Sequence, residues 1–152
     1  MAQSSFSRDF STRSGLKGRR PLVMMVEDDP AVAQMYKIGL ECAGFEVAAH
    51  KDGSAFFAAI ESQIPDIVIL DFQLKGVLTG IDIAENLRLD ERFSQLPVLF
   101  LSNDYTELDG HVDRAFGTGA LAWLAKSRTS PSQLASRITD SLSDSTAEVL
   151  GE

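Results

Sequence analysis

The chain has 152 residues, of which 44% are hydrophobic and 24% charged, with a formal net charge of −8. These are ordinary values for one globular domain with a real core and some tail. No apolar run approaches ~18 residues, which excludes a helical membrane span, and a single cysteine excludes an internal disulfide.

The charge is uneven along the chain. Residues 1–20 carry Arg8, Arg13, Lys17, Arg19 and Arg20 against Asp9 alone. The remaining chain therefore keeps 9 of the 14 basic and 21 of the 22 acidic residues, a balance of −12. Such a body repels nucleic acid, so no nucleic-acid partner is expected. The Ser-rich leader lacks the apolar core of a secretory signal. Its composition is similar to an organellar transit peptide, but residues 1–20 are read here as a disordered basic tail. With no signal, no span and one cysteine, a reducing, cytoplasmic location is expected.

In chain order, Pro21 to Val26 is an apolar run of strand length that ends in Glu27, Asp28 and Asp29. Asp29 as N-cap, Pro30 at the first helical position and Gly44 past the end frame a helix. Its apolar stripe is expected to run through Val32, Met35, Tyr36, Ile38 and Leu40, with Cys42 packed rather than reactive. Phe45 to Ala49 reads as a second strand. Asp52 and Ser54 offer caps for a helix reaching about Ser62. Asp66 to Asp71 is the third strand, buried on both faces because its apolar run does not alternate. A Gly-containing loop over 75–80 leads into a helix from Ile81 to Leu89. Pro97 to Leu101 is the fourth strand, followed by Ser102, Asn103 and Asp104. A polar helix over about 107–116 is closed by Gly117 and Gly119. Ala120 to Ala125 is the fifth strand, ending in Lys126. Thr129 or Ser130 before Pro131 caps the last helix, which uses Leu134, Ile138 and Leu142, and a polar tail is expected over 143–152.

Strand and helix alternate five times with short links, which demands a parallel sheet covered on both faces. The fold class is α/β, doubly wound and flavodoxin-like, with strand order 2-1-3-4-5 over residues 21–142. Ligands of such sheets sit at the carboxyl ends of the strands, by the switch point between strands 1 and 3. Glu27, Asp28, Asp71, Ser102 and Lys126 all fall on that edge. A carboxylate at the end of a buried strand is costly unless something uses it. Three carboxylates within about 4 Å repel by roughly 4 kcal/mol per pair at an effective dielectric near 20. A cation relieves this, and an all-oxygen cluster favours Mg²⁺. Lys126 adds fixed positive charge and Ser102 a hydroxyl, a set suited to a phosphoryl group. Asp71 is then the candidate nucleophile, forming an aspartyl phosphate.

Glu27, Asp28, Asp71, Ser102 and Lys126, each after its strand, resemble the receiver domain of bacterial two-component response regulators over about Leu22 to Leu142. The resemblance implies a signalling phosphoacceptor rather than a dedicated enzyme. Asp71 would take a phosphoryl group from a phosphohistidine on a sensor kinase or phosphotransfer protein, and the domain would assist its own phosphorylation and dephosphorylation. It also implies that Asp28 and Asp71 ligate Mg²⁺, that the Gln73 carbonyl adds a ligand, and that Glu27 acts through water. Ser102 and Lys126 would hold phosphoryl oxygens. Trp123, three residues before Lys126, is either the aromatic that changes rotamer with Ser102 or plain core.

There are departures from the family pattern. Ser127 replaces the usual cis-proline; a cis bond before a non-proline costs about 3–4 kcal/mol, so a trans bond and a differently shaped loop are expected. Lys75 stands in place of another usual proline, in a loop one residue longer than common. Asn103 replaces a small residue and is expected to slow small donors. Gln73, Asn103 and Asp104 flank the site and should tune its reaction with donors and water. With ten residues after Leu142, the output is expected to be a surface of helix 4, strand 5 and helix 5 read by another protein, as a monomer or a phosphorylation-dependent homodimer. Alternatives are a phosphorylation-independent scaffold with a retained pocket, a phosphohydrolase of the haloacid dehalogenase type and a flavodoxin-type carrier. The phosphohydrolase wants an acid where Gln73 stands, and the three acids after strand 1 would repel a flavin phosphate. His50 and His111 are expected to be solvated.

Overall fold

The computed structural model of the protein describes residues 19–103 and 111–151. Five strands form one parallel sheet: β1 Leu22–Val26, β2 Glu46–His50, β3 Ile67–Asp71, β4 Val98–Ser102 and β5 Ala122–Ala125. Their order is β2-β1-β3-β4-β5, as the alternation of elements predicts. Five helices intervene: α1 Pro30–Cys42, α2 Gly53–Ile60, α3 Gly80–Leu89, α4 His111–Gly117 and α5 Pro131–Gly151. β1, β3 and β4 are buried at every residue, because helices cover both faces of a parallel sheet. The edge strand β2 alternates, with Val47 buried between exposed Glu46 and half-buried Ala48.

Side chains of successive residues point to opposite faces of the sheet, and the core divides accordingly. Val23, Met25, Ile67, Ile69, Leu99 and Leu101 pack with α1 and α5. Met24, Val26, Val68, Leu70, Val98 and Phe100 pack with α2, α3 and α4. Asp29 caps α1, accepting from the Ala31 and Val32 amides at 2.9 and 3.3 Å. Asp52 caps α2 through the Ala55 amide at 2.9 Å. The cap of α5 is Ser130: its hydroxyl accepts from the Gln133 amide, and the Gln133 side chain accepts from the Ser130 amide.

The structure corrects several expectations. In α1 only Tyr36 and Leu40 are fully buried, while Met35 and Ile38 are 47% and 51% exposed. Cys42 is exposed as well. One helix can turn only about a 100° stripe to the core, and five apolar positions in nine residues exceed it. Arg19 and Arg20 are not loose tail. Arg19 makes a two-point contact with Asp66 at 3.0 and 3.1 Å, and Arg20 donates to the Gly44 and Glu41 carbonyls that end α1. His50 is only partly exposed, and its buried Nε2 meets no hydrogen-bond partner among the described residues. α5 runs on to Gly151 rather than ending near Leu142, with no proline or glycine in between to stop it. Asp104, residues 107–110 of the polar helix and the His111 side chain lie outside the described residues.

Candidate phosphoryl-transfer site

The register sets the site. Val26 pairs with Leu70, Asp71 with Leu101, and Ser102 with Ala125. Glu27, Asp71, Ser102 and Lys126 therefore leave the sheet side by side at its carboxyl edge. Alternation divides them by face. Asp71 follows Ile69 and Lys126 follows Leu124 on the α1/α5 side, whereas Ser102 follows Phe100 on the α3/α4 side.

Glu27, Asp28 and Asp71 each offer a carboxylate oxygen, and these oxygens lie within 4.8 Å of one another. Glu27 and Asp71 are buried. The Lys126 ammonium sits 2.6 Å from Glu27 Oε1 and 3.4 Å from Asp71 Oδ2. Backbone amides fix the acids: Gln73 N–H donates to Asp71 Oδ1 at 2.9 Å and Asp29 N–H to Glu27 Oε2 at 3.1 Å. Lys75 N–H donates to Asp28 Oδ2 at 2.9 Å, so the β3–α3 loop folds back over the β1–α1 loop. The Gln73 side chain accepts from the Asn103 amide at 3.2 Å and joins that loop to the end of β4. Ser102 is buried and Asn103 exposed.

Burial pushes the Glu27 carboxyl above its ordinary value, and the Asp71 charge adds to this; Lys126 and the Asp29 amide pull the other way. With every group ionised, three carboxylates and one ammonium leave a charge of −2. An all-oxygen donor set with that residual charge fits a divalent hard cation such as Mg²⁺. Beside the acids opens a cleft of about 580 Å³, lined by Asp28, Asp29, Pro30, Lys51, Asp52 and Lys75.

Trp123 is half-buried on the α3/α4 side, with its ring 4.6 Å from Phe72 and 5.8 Å from Phe100. The Lys126–Ser127 bond is trans, as Ser127 predicts, and Lys126–Arg128 forms a single 3₁₀ turn. Gly80 is among the residues whose role the amino-acid order alone does not reveal. Gly80 opens α3 against the end of β3, where an added Cβ would collide with the Asp71 carbonyl oxygen. The glycine directly after the Thr79 cap was the available signal.

The response regulator receiver domain model matches residues 23–139. The chain is 31% identical over 130 residues to the phosphate regulon transcriptional regulatory protein PhoB of Rhizobium meliloti, covering 86% of this chain and 56% of PhoB. It is 37% identical over 82 residues to the DNA-binding dual master transcriptional regulator RpaA of Synechocystis, covering 54% of this chain and 34% of RpaA. The chain thus spans between about a third and just over half of the length of these relatives. Among solved structures, chemotaxis protein CheY4 of Vibrio cholerae superposes with a TM-score of 0.72 at 25% identity, covering 80% of this chain and 98% of CheY4. A CheY-like receiver from Methanospirillum hungatei shares the fold with a TM-score of 0.75 at 22% identity, covering 85% of this chain and 98% of that receiver. Fold, sequence and family model agree, and the chain belongs to the response regulator receiver domains of two-component signalling.

Proposed function

We propose that this receiver is a phosphoacceptor in a two-component phosphorelay and that Asp71 is the residue phosphorylated. One observation carries the reading: Lys126 and three carboxylates, Glu27, Asp28 and Asp71, meet at one edge of the sheet with a net charge that calls for a divalent cation. An Asp71 oxygen forms a bond to phosphorus as the P–N bond to a donor histidine breaks. The imidazole leaves with the electron pair and takes a proton from solvent. The Gln73 amide and Lys126 hold the two Asp71 oxygens in place for this attack. Lys126 and the Ser102 hydroxyl then face the transferred oxygens and offset their charge. When bound, Mg²⁺ supplies further charge neutralisation there, and Glu27, Asp28, Asp71 and Gln73 are the residues that would hold it.

The donor is the phosphohistidine of a sensor kinase or phosphotransfer protein in the cytoplasm, and the product is read by a downstream protein. Phosphorylation adds up to about two negative charges. Contacts from Ser102 and Lys126 to the new group would favour one arrangement of α4, β5 and α5, with Trp123 following Ser102. Reversing a 1:99 population takes about 5.5 kcal/mol of differential interaction, within reach of several charge-assisted hydrogen bonds.

The test is incubation with Mg²⁺ and acetyl phosphate, or with a panel of histidine kinases, followed by intact-mass analysis. Wild type should gain one phosphoryl group, and both chelation of Mg²⁺ and Asp71→Ala should abolish the gain. Uptake that persists in Asp71→Ala refutes the assignment. A wild type that stays unmodified with every donor leaves the phosphorylation-independent scaffold as the reading.

A further inference from the structure

Lys126 must keep its ammonium between Glu27 and Asp71, so the turn that follows it has to be held in place. Lys126–Arg128 is one 3₁₀ turn without a side-chain cap, closed by the Thr129 amide donating to the Lys126 carbonyl at 3.3 Å. Ser127 and Arg128 are exposed, and neither is a proline that would stiffen the turn. Support arrives from the opposite end of the sequence. The Tyr36 hydroxyl, on α1, donates to the Thr129 carbonyl at 2.7 Å. Tyr36 is completely buried, and this is a buried hydrogen bond between residues 93 positions apart. Two consecutive bonds, Tyr36 to Thr129 and Thr129 to Lys126, thus run from the core helix to the backbone of the site lysine.

A second contact fastens the same junction. Gly39, one turn beyond Tyr36, lies against Pro131 so closely that a Cβ there would overlap the Pro131 Cβ. A glycine inside a helix costs about 1 kcal/mol relative to alanine. Its presence is accounted for by this approach of α1 to the start of α5. Burial raises the Tyr36 phenol above its ordinary pKa, and the Glu27 charge raises it further, so the hydroxyl remains a donor throughout the physiological range.

We infer that Tyr36 is a positioning residue for phosphoryl transfer: through its hydrogen bond to the Thr129 carbonyl it fixes the turn that aims Lys126 at Glu27 and Asp71. The inference rests on Asp71 being the phosphoacceptor. It acts on the backbone after the lysine, so its effect should vanish when the lysine is absent.

A double-mutant cycle reads this directly. Tyr36→Phe keeps the ring and deletes only the donor. The rate of phosphorylation by acetyl phosphate with Mg²⁺ is measured by intact mass in wild type, Tyr36→Phe, Lys126→Ala and the double variant, each first shown to be folded by circular dichroism. Tyr36→Phe should slow wild type roughly tenfold, the equivalent of one lost hydrogen bond in the transition state. In the Lys126→Ala background the same change should leave the rate unaltered. A purely structural role would lower the rate by the same factor in both backgrounds, and that result overturns the inference. So does a Tyr36→Phe rate equal to wild type. Should Tyr36→Phe not fold, Gly39→Ala, which pushes Pro131 away, takes its place in the cycle with the same expected pattern. A wild type that takes up no phosphoryl group from acetyl phosphate or from any of the histidine kinases instead removes the phosphoacceptor reading itself, and the inference falls with it.

Discussion

The two faces of the sheet bear different parts of the site. On the α1/α5 face, Glu27, Asp71 and Lys126 rise from strands packed against wholly buried side chains, among them Tyr36, Leu40, Leu134 and Ile138. That face is tied through by the Tyr36–Thr129 hydrogen bond. On the other face lie Ser102 and the half-buried Trp123, with α4 described over His111–Gly117. There the main polar tie is Arg88 on α3, whose guanidinium donates to the Thr118 carbonyl at 2.6 Å and to the Phe93 and Leu96 carbonyls at 3.1 and 2.8 Å. These bonds hold the far end of α4, while the buried Trp123 indole Nε1 meets no hydrogen-bond partner among the described residues. The two faces divide the labour: the one that must hold charges still is closed by burial, and the one that carries Ser102 and Trp123 retains partly exposed aromatic surface.

The largest stability effect should therefore fall on the first face. Leu134→Ala is expected to lose about 2–5 kcal/mol in urea unfolding, through lost burial and the cavity left behind. Trp123→Ala on the other face should lose less, roughly 1–3 kcal/mol, because part of its ring is already in water. The reverse order would break the comparison. Arg88→Met, which leaves three carbonyls without their donor beside a cleft lined by Arg88, Leu96, Thr118 and Gly119, should lose roughly 1–2 kcal/mol. It should also speed amide exchange at Thr118 and Gly119, sharpening the claim that this end of α4 is pinned; unchanged exchange would count against it.

The smallest effect concerns pH. Burial lowers the His50 pKa below 6.5, so the unfolded chain binds a proton first as the pH falls. Stability is present in full above 6.5 and is lost as the pH drops below it, towards the folded-state value. Comparing wild type with His50→Gln isolates this term, and the variant should show the flatter dependence. Parallel curves would mean that His50 is as wet when folded as when unfolded.

Much of this arrangement was legible in the amino-acid order. Unbroken apolar runs such as Ile67 to Leu70 announce strands buried on two sides, and the carboxylates closing the first and third of them mark the functional edge. The Asp29 and Asp52 caps are local chemistry, readable wherever an acid precedes a helical pattern. What escaped was set by distance in sequence. Met35 and Ile38 look like core residues until α5 and the sheet have filled the other side of α1. The close contacts of Gly39 with Pro131 and of Gly80 with Asp71 depend on segments meeting in three dimensions, and a glycine does not announce its neighbour. Arg19 and Arg20 read as tail because charge composition says nothing of the Asp66 carboxylate or the helix-end carbonyls that receive them. Tyr36 fits a helical stripe by size, and only the fold reveals where its hydroxyl goes.

The lysine of the pocket directly follows β5, a border strand with a neighbour on one side only. Peeling that strand away would strip the ammonium from two sunken carboxylates and leave like charges facing one another. The acids thus act as a latch on the sheet's margin. A cation held by the same carboxylates, as proposed above, would share their charge with Lys126 and loosen that latch, linking ion occupancy to fraying of this border.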